Sequence, residues 1–187
     1  NIKIGVILQG AETPFMKEVL KGIQEACAEV DNLGGTVLVH KIEHQNAEDV
    51  ILAMEKMRME EVSGIAMVPL DEERVKREID RFVEEFRIPV VTFTSDVEDT
   101  KRLCFVGQNG VQCGRAAAGL MGELIGGKGK VAVISGYSTN TSLSSRVVGF
   151  REEIARKYPG IEIIGPEYCF EENGRAREIT EGIFKDV

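Results

Sequence analysis

Four short apolar runs in this chain stop abruptly at glycine or polar residues. Ile2–Leu8 gives way to Gln9-Gly10, Gly64–Val68 to Pro69-Leu70-Asp71, and Val90–Phe93 to Thr94-Ser95-Asp96. Val131–Ile134 gives way to Ser135-Gly136-Tyr137-Ser138-Thr139-Asn140. Runs of this kind, bounded by turn signals, read as buried strands. Helical patterns lie between them, so the expected fold is α/β, with parallel sheets, right-handed crossovers and helices on both faces. In open sheets of this type ligands bind beyond the carboxyl ends of the strands. The polar tails therefore predict a pocket lined by hydrogen-bonding groups.

The intervening segments carry helix signals. Thr13 precedes Pro14, a cap followed by proline at the first helical position. Phe15, Met16, Val19, Leu20, Ile23, Cys27 and Val30 then repeat at helical spacing. Asn46 opens a second helix. Asp71 is placed to cap a third, with Glu72 and Glu73 complementing the dipole and Val75, Ile79, Phe82, Val83 and Phe86 as its buried stripe. A short strand, Leu103–Val106, leads through Gly107–Gly110 into a helix over Val111–Ile125, where Ala116, Ala117, Ala118 and Gly119 permit close packing. A helix from Leu143 to Tyr158, a strand over Ile161–Tyr168 and a last helix from Asn173 to Phe184 complete the chain. The division into lobes falls at 1–109 and 110–187. The second lobe holds few strands, so it is expected to be incomplete or to pair with further chain.

Composition narrows the function. The net charge of −8 and the scattered Lys and Arg disfavour a nucleic-acid surface. No apolar stretch is long enough to span a membrane. Cys27, Cys104, Cys113 and Cys169 lack metal or redox spacing and read mostly as small buried hydrophobes, suited to a reducing cytosol. Disulfide pairing of an even number is the alternative.

Motifs for catalysis fail on inspection. Gly122 to Lys128 begins like a P-loop, but Gly129 stands where Ser or Thr must hold magnesium, and the strand–loop–helix order is reversed. His40 and His44 have no accompanying ligand cluster. The serines near residue 140 lack a G-x-S-x-G elbow. The expectation is a binding protein, with no catalytic residues, metal or cofactor. Phe15 is a candidate plate for an apolar ligand face, with core packing as its alternative. Asp71 and Asp96 follow strands, Asp71 reading more as a cap and Asp96 more as an acceptor for ligand hydroxyls. Arg146 is placed in a first helical turn, where the dipole disfavours a cation and a polar or anionic partner would compensate.

Together, Thr13-Pro14-Phe15, Val68-Pro69-Leu70-Asp71, Ile88-Pro89-Val90-Val91-Thr92 with Ser95-Asp96, and Phe105-Val106-Gly107-Gln108-Asn109 resemble the type I periplasmic-binding-protein fold. Gly114-Arg115-Ala116-Ala117, Gly127–Val131, Ser135-Gly136 and Arg146–Phe150 continue the likeness in order along nearly the whole chain. The fold serves sugar receptors of bacterial ABC transporters and the effector domains of LacI-type transcription regulators. Arg102–Gly107 and Arg115–Gly122 are more similar to the regulators. The resemblance implies two Rossmann-like lobes joined by a hinge, with a sugar or polyol-like effector closing the cleft between them. It implies ligand contacts from Phe15, Asp71, Asp96 and Arg146, with Gln9 and Asn140 added. It further implies a cytoplasmic homodimer that meets DNA only through a helix-turn-helix domain absent from this chain. Family members run about ninety residues further. Where they often carry Arg after the aspartate at the fourth strand's end, this chain has Val97.

Overall fold

The computed structural model describes residues 2–9 and 13–185, with Gln9 described through its backbone only. The chain forms two compact units, Asn1–Gly107 and Gln108–Val187. The boundary drawn from sequence after residue 109 would part Asn109 from the helix it caps: its side chain accepts from the Gln112 N–H at 3.0 Å.

The first unit is built on five parallel strands. In chain order they are β1 (Lys3–Gln9), β2 (Thr36–Ile42), β3 (Gly64–Met67), β4 (Val90–Phe93) and β5 (Cys104–Val106), arranged β2-β1-β3-β4-β5. β2 pairs with one edge of β1 from Lys3↔Thr36 to Gln9↔Ile42, and β3 pairs with the other edge from Ile4↔Gly64. The chain therefore reverses its direction of growth between β1 and β3, the switch point where such sheets open a crevice at their carboxyl edge.

Alternation along β1 sorts the helices onto two faces. Val6 and Leu8 pack with Met16, Val19, Leu20 and Ile23 of α1 (Pro14–Asn32). Ile7 faces the opposite layer, with Val50, Met54 and Met57 of α2 (Ala47–Met59) and Val75, Ile79 and Phe82 of α3 (Glu73–Glu84). Thr13 and Asn46 cap α1 and α2 as expected, accepting from Met16 and Asp49 N–H groups at 3.2 and 2.8 Å. The expected cap at Asp71 is not formed. α3 begins one residue later behind Glu72, and Asp71 turns to Lys76 at 2.9 Å instead.

The second unit has a two-stranded parallel sheet of β6 (Lys128–Ser135) and β7 (Gly160–Tyr168). Their register shifts between Ala132 and Ile134, opposite Pro166, which has no N–H to donate. α4 (Gly110–Leu124) and α5 (Thr141–Lys157) pack over a small core of Ala118, Val131, Ile154 and Ile161, and α6 (Asn173–Lys185) follows β7. Close helix packing was expected through Ala116, Ala117, Ala118 and Gly119. The face in use is instead Gly110, Gly114, Ala118 and Gly122, one residue per turn. A Cβ on Gly114 would lie 2.0 Å from the Arg146 carbonyl oxygen, and one on Gly149 would lie 2.0 Å from that of Val111. The two backbones touch where any larger residue would drive them apart.

The cysteines depart from the buried reading. Cys27, Cys113 and Cys169 are half-buried, Cys104 is exposed, and all four are free thiols. Cys27 lies on α1 and Cys104 on β5, the edge strand of the first unit's sheet. Among the described residues no helix is long and apolar enough to cross a membrane, and no cluster has a metal ligand set.

Candidate ligand-binding site

The carboxyl ends of β1, β3 and β4 lie side by side in the sheet of the first unit, and the predicted residues follow those ends. Gln9 closes β1, but its side chain lies outside the described residues. Phe15 occupies the first turn of α1, held there by the Thr13 cap and Pro14. It is 62% exposed, so the core-packing alternative fails and an aromatic face is presented to solvent.

The two carboxylates of this unit are each bound to a cation. Asp71 pairs with Lys76, whose ammonium is held above its ordinary value chiefly by that hydrogen bond. Asp96 sits below β4 in a tighter arrangement. Thr92 Oγ1 donates to Oδ1 at 2.7 Å, and Arg102 Nη2 donates to Oδ2 at 2.6 Å. Thr92 is fully buried, and both partners of the ion pair are more than four-fifths buried. Sequence marked the absence of an arginine at position 97. Structure shows Val97 buried in the core and a guanidinium reaching Asp96 from Arg102 instead.

In the second unit, α5 starts at Thr141, two residues earlier than predicted. Arg146 therefore stands in the second turn, and the helix-dipole objection to a cation loses most of its force. Its Nη1 donates to the Ser142 carbonyl and to Ser142 Oγ at 2.6 Å, and Nη2 donates to Gln108 Oε1 at 2.9 Å. All these partners are neutral, so the guanidinium keeps its charge for an incoming acceptor. Asn140 is the N-cap position of α5 and buried, and its carbonyl accepts from the Leu143 and Ser144 N–H groups at 3.0 Å.

Sequence reasoning passed over the aromatic pair in this unit. Tyr137, after β6, and Phe170, after β7, have ring centroids 5.5 Å apart at 59°. Phe170 and Glu171 both hold left-handed backbone angles, φ 54° and 61°, a conformation that side chains disfavour. Burial, then Glu171 and Glu172, push the Tyr137 hydroxyl above its ordinary value. The signal was available: Tyr137 lies in the polar tail after β6, and Phe170 stands two residues beyond the end of β7. The histidines, by contrast, go to ordinary uses. His44 bonds Asp49 at 3.1 Å, while burial and then Lys56 lower His40.

Both units thus place polar and aromatic side chains at the carboxyl ends of parallel strands, with no nucleophile–base pair among them. That is the design of a binding protein of the doubly wound α/β class. Residues 4–186 match the model of the periplasmic binding protein domain, and the chain belongs to that family. No curated protein matches the sequence.

Solved structures extend the likeness. An ABC transporter solute-binding protein from Burkholderia graminis, crystallised with D-arabinose, is 25% identical with a TM-score of 0.90. GanP, a glucose-galactose binding protein from Geobacillus stearothermophilus, is 26% identical with a TM-score of 0.86. A Bacteroides fragilis protein assigned as a LacI transcriptional regulator shares the fold at 20% identity and a TM-score of 0.83. Each alignment covers all of this chain, but only 62%, 65% and 67% of the respective partner. These neighbours are binding proteins and a regulator, not enzymes.

Proposed function

We propose that this chain is the sugar-sensing part of a bacterial transcription regulator, and that groups at strand ends hold its ligand. The observation that carries the sugar reading is the chemistry of those ends. Phe15 and the Tyr137–Phe170 pair offer apolar faces, and Arg146 offers a cation whose hydrogen-bond partners among the described residues are neutral. A sugar ring has an apolar face and a rim of hydroxyls, and it fits that combination. Four free thiols support the regulator and a cytoplasmic setting. A homodimer carrying DNA-binding domains is part of the same proposal.

The second reading is a transporter's sugar receptor, favoured by the Burkholderia and Geobacillus neighbours. The sequence upstream separates the two readings: a helix-turn-helix supports the regulator, a secretion signal the receptor.

Calorimetry of the intact protein with D-arabinose, D-glucose and D-galactose tests the sugar reading. Binding of at least one sugar is expected, with Arg146→Ala weakening it about tenfold or more, the worth of a hydrogen bond to a charged group. No heat from any sugar, or unchanged affinity in the variant, contradicts it.

A further inference from the structure

β2 is an outer strand of the first unit's sheet and pairs with β1 along one edge only. The Thr36 N–H donates to the Ile2 carbonyl at 2.9 Å. In a parallel pair the N–H and C=O of one residue point to the same side, and successive residues alternate. Thr36, Leu38, His40 and Ile42 therefore turn their backbone groups toward β1, and Val37, Val39 and Lys41 turn theirs outward. Among the described residues none takes those outward groups. A free edge of seven residues is a template for another strand.

A groove of about 450 Å³ lies beside that edge, between β2 and α2. Side chains alternate along β2, so His40 shares the face of Ile42, which packs in the core with α2. On α2, Asp49, Leu52, Ala53 and Lys56 recur at helical spacing and form the opposite wall. Leu52 is 61% exposed, although Ala53, Met54 and Met57 on the same helix are buried. The nearness of Lys56 shows in the His40 ring, whose value burial and then Lys56 lower. Asp49 is occupied by the backbone N–H and ring of His44. That leaves Lys41 and Lys56 with one further carboxylate on the wall, Glu43, and neither lysine forms an ion pair among the described residues.

We propose that the β2 edge is a docking site for an extended acidic segment of a partner protein, which adds to the sheet as a further strand. Its backbone meets the outward groups of Val37, Val39 and Lys41. Every second side chain of such a strand falls on the α2 face. An acidic residue there meets Lys56 and His40, and an apolar residue two positions away lies on Leu52. A second copy of this chain is the other candidate for a free edge. It would bring the same two lysines to the seam and double the uncompensated positive charge. The charge that disfavours a copy attracts an acidic strand. The site shares no residue with the sugar-binding reading and stands independently of it.

The test presents the intact protein to an array of capped peptides as long as β2, Thr-Thr-X-Thr-Z-Thr-Thr, with X and Z drawn from Glu, Lys, Gln, Leu and Thr. The tightest binder is then titrated while the His40 ring is followed by NMR. Peptides carrying Glu and Leu at the two positions are expected to bind best, their Lys-for-Glu versions not measurably, and the His40 resonances are expected to move. Lys56→Glu is expected to weaken the tightest peptide about tenfold or more and to turn the preference from Glu to Lys. Val39→Pro removes one outward N–H and leaves the ladder to β1 intact, a substitution that edge strands tolerate. It is expected to weaken binding about tenfold. Melting without peptide establishes that both variants fold, and Lys56→Glu, at an exposed position, carries the test even where the proline variant does not. No binding by any peptide, equal binding of Glu and Lys versions, or binding that leaves His40 unmoved overturns the proposal. So does self-association through this edge, read as a halved mass of Val39→Pro in light scattering.

Discussion

The two units solve one problem, holding side chains at strand ends, by different physical means. The first does it with a sheet. Five strands are covered on one face by α1 and on the other by α2 and α3, and the large aliphatic and aromatic residues Ile7, Leu8, Met54, Met67, Leu70, Ile79 and Phe82 are fully buried. Among the described residues, the second has Ala118, Val131, Ile154 and Ile161 as its buried apolar core, and it relies on two helices whose backbones touch at Gly114 and Gly149. The chemistry of their candidate residues differs as well. Asp71 and Asp96 in the first unit are each neutralised by a cation, whereas Arg146 in the second is held by neutral oxygens. The large apolar core is sensitive to the loss of a large side chain, the backbone-to-backbone approach to the gain of a single methyl group, and this difference organises the expected effects of mutation.

The largest effect is expected in the first unit. Phe82→Ala empties the centre of the α2–α3 layer and removes the edge-on contact with Phe86, whose centroid lies 5.3 Å away. A loss of about 3–5 kcal/mol follows from the cavity. In the second unit Gly114→Ala adds a single methyl group, yet it is expected to cost about 1–3 kcal/mol by forcing α4 off α5. It should also weaken sugar binding, because the clash falls on the backbone of Arg146. Thermal melts and calorimetry check both. If Gly114→Ala is silent in stability and affinity, the proposed contrast between the units collapses.

The smallest effects concern two buried glutamates, and they have opposite signs. Glu78 on α3 has its carboxyl pushed above the ordinary value, chiefly by burial, against the pull of Arg81. A raised value means its contribution to stability is present below the unfolded value and is lost as pH rises through the folded one. Glu153 on α5 is held below the ordinary value, chiefly by hydrogen bonds from Lys157 and then Arg156. Its contribution is present above the unfolded value and is lost as pH falls through the folded one. Melting temperature followed across the acid range should therefore show Glu153→Gln harmful near neutrality and neutral in acid. Glu78→Gln should be neutral in acid and stabilising near neutrality, because it removes a buried charge. Matching pH profiles for the two variants would contradict the assignment of causes.

Most of the fold was legible because period-two and period-3.6 patterns are local. Among the described residues, the strands and helices fall where apolar spacing put them, within a few residues. What stayed hidden depended on partners far along the chain. The glycine ridge of α4 could not be told from its alanine face until α5 was seen to lie against it. Asp71 resembled a cap until α3 started one residue later. The pairing of Asp96 with Arg102 required β5 to return beside β4, and the Tyr137–Phe170 pair required β7 to return beside β6. The places of Phe15 in the first turn of α1 and of Arg146 early in α5 were legible because helix ends and strand ends constrain single residues strongly. The Arg146 argument nevertheless rested on a helix start that proved two residues late.

Hydrogen exchange of the intact protein, with and without a bound sugar, tests most directly whether the carboxyl edges of both sheets carry the ligand. Protection is predicted to rise at residues 68–71, 94–96, 137–146 and 168–172, with little change along the helix surfaces facing away from those edges. Protection confined to the groove beside β2 and α2, or to the groove between α4 and α5, with the strand ends unchanged, would contradict it.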